Sequence, residues 1–162
     1  SFGGADPQNY SDRILNMVAR QEYKDYQFIV VLGRAKNNVD ALMEYNKYSN
    51  IEVLYDVSNM PELMSSCDIG ITSRGRTGYE LAILGIPSIS MAQNQREEKH
   101  GFVCNENGFT YIDLNPADEI IESNLKMYLS MSKESRLRFH NMLLSHDLRG
   151  GRKRVMSLIR GL

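Results

Sequence analysis

A chain of 162 residues with a net charge of −1 is long enough for one domain with its own core and too short for two comfortable ones. Apolar residues make up 42% and charged residues 24%, with Lys and Arg scattered among the acids, so neither nucleic acid nor an acidic membrane is favoured as a partner. Two distant cysteines, no signal peptide and no apolar run near the roughly 20 residues that span a bilayer point to reduced thiols, a cytoplasmic location and no stable membrane insertion.

Ser1-Phe2-Gly3-Gly4 reads as the end of a buried strand passing into a glycine turn. The expectation is a domain cut from a longer protein near a boundary, or one whose preceding strand is missing. Residues 7–23 place Ile14, Leu15 and Val18 at helical spacing. Residues 27–33 (QFIVVLG) are a nearly continuous apolar run, as in a strand buried on both faces. A helix over 37–48, a strand over 51–57 and a short helix over 59–67 follow, the last with Pro61 in its first turn, where a missing N–H costs nothing. Strands are expected over 68–72 and 86–91 with a helix over 78–84 between them, and a further helix over 94–107 closed by Asn107-Gly108. The last strand covers 109–114, and the rest is helical in pieces broken near Ser132 and Gly150-Gly151. Such alternation implies βαβ units and a doubly wound parallel sheet.

Ligands of open parallel sheets sit beyond the carboxyl ends of the strands. Gly3-Gly4-Ala5-Asp6 stands there, either as backbone donors and a helix end facing an anion or as a tight turn with Asp6 capping the helix. Ser73-Arg74-Gly75-Arg76-Thr77-Gly78-Tyr79-Glu80 runs from strand to helix and gathers glycine, hydroxyl and guanidinium groups suited to a pyrophosphate. Glu80, one turn into the helix, is placed to accept ribose hydroxyls; the plainer alternative is a first-turn acid with Arg74 and Arg76 at the surface. Asn94 and Gln95 suit sugar hydroxyls or amides, or equally an N-cap and an early helix residue. His100 and His140 lack companions at metal spacing, so no metal is expected. The basic stretch 149–154 reads as a solvated helix start.

FGGADPQN, NMPELMSSCDIGIT and SRGRTGYELAILGIPSISMAQNQ together resemble the C-terminal domain of the UDP-sugar hydrolase of the pseudaminic-acid pathway and the related spore-coat polysaccharide biosynthesis proteins. The lipid II N-acetylglucosaminyltransferase is a more distant likeness. The resemblance runs from Ser1 to about Leu114. It implies an α/β, Rossmann-like parallel sheet flanked by helices, as one lobe of a GT-B fold. Residues 1–162 would then be a single nucleotide-sugar-binding domain lacking its N-terminal lobe. Gly3, Gly4 and Ala5 would approach the phosphates, and Val57, Asn59 and Met60 would flank the base. Gly75, Thr77 and Gly78 would hold the diphosphate, and Glu80 the ribose. Asn94 and Gln95 would face the sugar, Asn94 being this lobe's one candidate for a part in catalysis. Arg74 and Arg76 depart from the small residues usual in the family and strengthen the diphosphate contacts or mark a different donor.

The expected function is a UDP-sugar-binding lobe of a cell-surface polysaccharide or sialic-acid-like sugar enzyme, foremost a hydrolase releasing UDP with no metal or other cofactor. Its alternatives are the donor lobe of a GT-B glycosyltransferase and a non-catalytic α/β ligand-binding module.

Overall fold

The computed structural model describes residues 1–161. Helix α1 (Tyr10–Val18) turns Ile14, Leu15 and Val18 inward and is followed by a 3-10 turn over Gln21–Tyr23. Strand β1 (Phe28–Leu32) leads through α2 (Val39–Met43) and a 3-10 turn (Glu44–Lys47) to β2 (Ile51–Tyr55). After α3 (Met60–Ser65) come β3 (Gly70–Ser73), α4 (Thr77–Leu84) and β4 (Ser88–Met91). Gly85 ends α4 at φ 70°, the left-handed cap that a side chain would strain. A single helical turn, α5 (Gln95–Glu98), precedes β5 (Phe109–Ile112), and α6 (Asp118–Leu129), α7 (Lys133–Leu144) and α8 (Gly151–Arg160) complete the chain.

All pairings are parallel: β1 with β2, and β3 with β4 and β4 with β5. They form a two-stranded and a three-stranded group rather than one hydrogen-bonded sheet. On one side α1, α2 and α6 contribute Leu15, Leu42 and Leu125 to the main core, with Val53 and Ile89 from the strands. On the other side Met64 of α3 meets Leu81 of α4, and Leu143 of α7 meets Ala82 and Phe109. The result is a three-layer doubly wound α/β architecture. No described helix is long and apolar enough to cross a membrane.

The expected helix over 94–107 is only one turn. Past Glu98 the backbone leaves helical geometry and returns as a 3-10 turn over Asn105–Asn107. Arg74 holds the carbonyls of Glu98, where α5 ends, and of Val103 in the segment that follows, which local periodicity could not disclose.

An ion network fastens α6 to the end of α1. Glu122 Oε1 lies 2.6 Å from Lys126 Nζ, 2.8 Å from an Arg20 nitrogen and 3.1 Å from the Tyr23 hydroxyl that donates to it. Lys126 and then Arg20 hold the carboxyl well below its ordinary range, to about 2. A depressed acid stabilises the fold above its unfolded value, 4.5, and that contribution fades as pH falls towards about 2. Melting temperature should therefore decline below the unfolded value, and Glu122→Gln should flatten that part of the profile. Identical acid limbs in a differential scan of the two proteins would refute this.

Candidate functional site

Parallel strands deliver the loops that follow them to one edge of the sheet. Hydrogen bonds join these loops in a row. Tyr55 donates its hydroxyl to Arg34 O at 3.0 Å and Arg34 Nε pairs with Asp56 at 2.9 Å, tying the loop after β2 to the loop after β1. Ala35 donates its N–H to Gly4 O at 2.9 Å. Gly33 packs so tightly on the first turn that a Cβ there would lie 2.2 Å from Gly3 O, so only glycine fits. The turn is in turn fastened to the loop after β4. Gln8 Nε2 donates to Gln93 O at 3.0 Å, Gln93 Nε2 to Phe2 O at 2.8 Å, and the Tyr10 hydroxyl to Ala92 O at 2.8 Å. Arg74 N–H donates to Met91 O at 3.0 Å, which brings the loop after β3 alongside.

The first turn has two sides. Outward, Gly3, Gly4 and Ala5 are exposed, and a side chain at either glycine would meet nothing within 4 Å. Inward, Asp6 is 3% exposed and accepts the Tyr10 and Ser11 N–H groups at 2.9 and 2.8 Å. The carboxylate of Asp6 is thus the anion at the start of α1, and the amides left for a ligand are those of the glycine turn. Lys36 Nζ, buried beside it, lies 3.3 Å from Asp6 Oδ2 and 2.6 Å from Asp12 Oδ2, and donates to Asn9 Oδ1 at 2.7 Å. The Asp12 oxygen makes a close ion contact without hydrogen-bond alignment.

At α4 the helix start carries no side-chain cap; the Gly78 and Tyr79 N–H groups bond Gly75 O and Arg76 O at 3.2 and 2.9 Å, which leaves those of Arg76 and Thr77 without a partner among the described residues. Arg76 is exposed there and has no ion-pair partner among the described residues. A cation at a helix amino end is disfavoured by the dipole. An incoming diphosphate would reverse that sign.

Arg74 is different. It is 8% exposed, donates through Nε to Val103 O and through one terminal nitrogen to Glu98 O, both at 2.7 Å, and stacks 3.7 Å from the Tyr111 ring centroid. Burial pushes the Tyr111 phenol up, an effect that Arg74 opposes only in part, so the ring stays neutral under the guanidinium at ordinary pH. Gly78 also has an internal partner, because a Cβ would approach Val103 Cγ2 to 2.5 Å. Gly75 is more open, its nearest neighbours being Ser73 Oγ at 3.4 Å and Glu97 Oε1 at 3.8 Å from such a Cβ.

Glu80 is exposed on the first turn of α4 with its carboxylate uncommitted among the described residues. Thr77, half-buried, opens the helix. Asn59 is exposed and Val57 half-buried in the loop after β2, while Met60 packs towards Met64 and Leu81. Asn94 caps α5 by accepting the Glu97 N–H at 3.0 Å, and Gln95 is exposed beside it.

Two neighbours escaped the sequence reading. Glu97 accepts the Gln93 N–H at 2.9 Å and sits against Gly75. Gln93, in the loop after β4, is 6% exposed, and its side-chain carbonyl has no hydrogen-bond partner among the described residues. A glutamine two residues past a fully buried strand was the available signal.

A family model described as "Protein of unknown function (DUF354)" matches residues 6–146. An uncharacterized protein of Methanocaldococcus jannaschii, MJ1062, is 34% identical over 103 residues, 61% of this chain and 21% of that protein. A UDP-N-acetylglucosamine–N-acetylmuramyl-(pentapeptide) pyrophosphoryl-undecaprenol N-acetylglucosamine transferase of Leuconostoc citreum is 29% identical over 117 residues, 69% of this chain and 31% of that one. The chain therefore spans between a fifth and a third of these relatives. Among solved structures, WaaG, a glycosyltransferase involved in lipopolysaccharide biosynthesis, matches 98% of this chain and 45% of its own with TM-score 0.66 at 17% identity. Anabaena Alr3699/HepE, solved in complex with UDP-glucose, matches 99% and 48% with TM-score 0.65 at 12% identity. The fold is accordingly Rossmann-like, of the kind found in a lobe of GT-B glycosyltransferases.

Proposed function

Because the chain belongs to the family of proteins of unknown function designated DUF354, we propose its role from its strand-end edge: it is the donor-binding lobe of a two-lobed enzyme that uses a UDP-type sugar. The observation that carries the proposal is the uncapped start of α4 with an exposed, unpaired Arg76 on it. The diphosphate sits between that helix end, with Gly75, Thr77 and Gly78, and the open backbone of Gly3, Gly4 and Ala5. Glu80 accepts ribose hydroxyls, the backbone around Val57, Asn59 and Met60 reads the uracil, and Asn94 and Gln95 face the sugar. Arg74 supports this surface from beneath.

The reaction is transfer of the sugar from UDP to an acceptor, in the making of a cell-surface polysaccharide or sialic-acid-like sugar. Charge on the departing UDP is taken up by the α4 amides and Arg76. UDP-sugar is a substrate here, the scheme needs no cofactor, and the acceptor site and its base belong to the N-terminal lobe, in the cytoplasm. The likeness to the Leuconostoc citreum transferase favours this reaction. Hydrolysis is the second reading, favoured by the FGGADPQN run and the Asn94-Gln95 pair.

Calorimetric titration with UDP should show saturable binding, and no heat at millimolar ligand would end the proposal. Glu80→Ala should weaken that binding by about 1–3 kcal/mol. Unchanged affinity in a folded Glu80→Ala protein would return Glu80 to a plain first-turn acid.

A further inference from the structure

Helix α5 is a single turn, yet its start is held on both sides. Asn94 Oδ1 accepts the Glu97 N–H at 3.0 Å, and Glu97 Oε2 reaches back to accept the Gln93 N–H at 2.9 Å. This is a capping box set one residue early, since the carboxylate bonds the amide before the cap rather than that of the cap itself. Glutamine serves such a box as well as glutamate, so capping leaves the negative charge of Glu97 without a cause. One helical turn also offers that charge little dipole to answer to.

The second oxygen of Glu97 is free. Among the described residues Oε1 makes no hydrogen bond and is not shut off from solvent, and the carboxylate has no ion-pair partner. Oε1 lies 3.8 Å from where a Cβ on Gly75 would stand. One oxygen of Glu97 thus fastens the loop after β4, and the other stands at the seam between that loop and the loop after β3. A carboxylate there repels a bare diphosphate. It accepts hydrogen bonds and donates none, so a phosphate oxygen cannot be its partner either. Hydroxyl groups can, and a nucleotide sugar carries them directly beside its diphosphate.

We propose that Glu97 is the specificity-determining residue of the sugar subsite: Oε1 accepts hydrogen bonds from ring hydroxyls of the donor sugar while Oε2 holds the loop through Gln93. The inference rests on the donor-binding reading above and narrows it to a neutral sugar with free hydroxyls. A uronate would set a second carboxylate against the first. The same charge lets the lobe tell donor from product. It opposes UDP alone, and it becomes a favourable acceptor once sugar hydroxyls stand between it and the diphosphate.

Calorimetric titration of the chain and of Glu97→Gln with UDP, UDP-glucose and UDP-glucuronate tests this. Glu97→Gln keeps an oxygen for the Gln93 N–H and removes the charge at the seam. It should bind UDP about two- to five-fold more tightly, because a repulsion is gone. It should bind UDP-glucose about tenfold more weakly, because a charge-assisted hydrogen bond is lost. UDP-glucuronate, weaker than UDP-glucose in the parent, should lose that disadvantage. Hydrogen exchange at the Gln93 amide should stay as slow as in the parent, showing the loop intact. Should Glu97→Gln fail to fold, Glu97→Asp takes its place: it keeps the charge but not the reach, so UDP-glucose should weaken with UDP unchanged. The proposal is overturned if UDP binds and the preference for UDP-glucose over UDP survives in the variant. It is equally overturned if that preference falls only together with protection of the Gln93 amide, since Glu97 would then act through the loop alone. A parent chain that binds none of the three ligands refutes the donor-binding reading itself, which is a separate result.

Discussion

Replacing Asp6 with alanine is expected to destabilise the fold by about 3–5 kcal/mol, because it breaks a buried ion cluster from one side. Two amides at the start of α1 lose their acceptor, and the Lys36 ammonium, 2% exposed, keeps only Asp12 as an ion partner. Asp6→Asn should cost less, since one amide can still be satisfied while the charge is lost. In the Asp6→Ala background a further Lys36→Met change should cost less than it does in the parent, because the ammonium has already lost one partner. Urea unfolding reads all of these as shifts in midpoint at constant slope. A midpoint loss equivalent to under about 1 kcal/mol for Asp6→Ala would show that water reaches the cluster and relieves it.

The same cluster shows what sequence discloses and what it withholds. Asp6 as a helix cap was legible, because an acid after a glycine turn and before a helical period is a local signal. Lys36 was not: nothing near it in the chain announces a buried lysine, and its acidic partners lie 30 and 24 positions upstream, on another loop and helix. Strands were legible for a similar reason. Burial on both faces makes FIVVL a continuous apolar run, and the observed bounds of β1 and β4 fall within two residues of those expected.

Glycines around α4 divide along this line. The unusual density of Gly75 and Gly78 at a helix entry was visible, but its cause was not. Gly78 answers to Val103, 25 positions later and on the far side of α5, whereas Gly75 keeps an open face. A position can therefore require glycine for packing in the middle of a segment that also suits a phosphate. Asn94 shows the same overlap: its oxygen caps α5, while its amide nitrogen makes no hydrogen bond among the described residues.

Arg74 and Arg76, two residues apart, give the sharpest separation of structural charge from the charge proposed to face the donor. Arg74→Ala should lower stability by about 3 kcal/mol, since two charge-assisted hydrogen bonds are lost and the Val103 and Glu98 carbonyls are left in a partly buried place. Arg74→Lys should recover only part of this, because a point charge cannot bridge both carbonyls or stack on Tyr111. Arg76→Ala should leave stability unchanged or slightly improved, as it removes a cation from a helix amino end, while weakening UDP binding. The two variants thus exchange their effects between urea midpoint and calorimetric affinity. Should Arg74→Ala keep its midpoint and lose UDP binding instead, the guanidinium would have to leave its carbonyls for the ligand. Residues 98–103 would then be held by something other than Arg74.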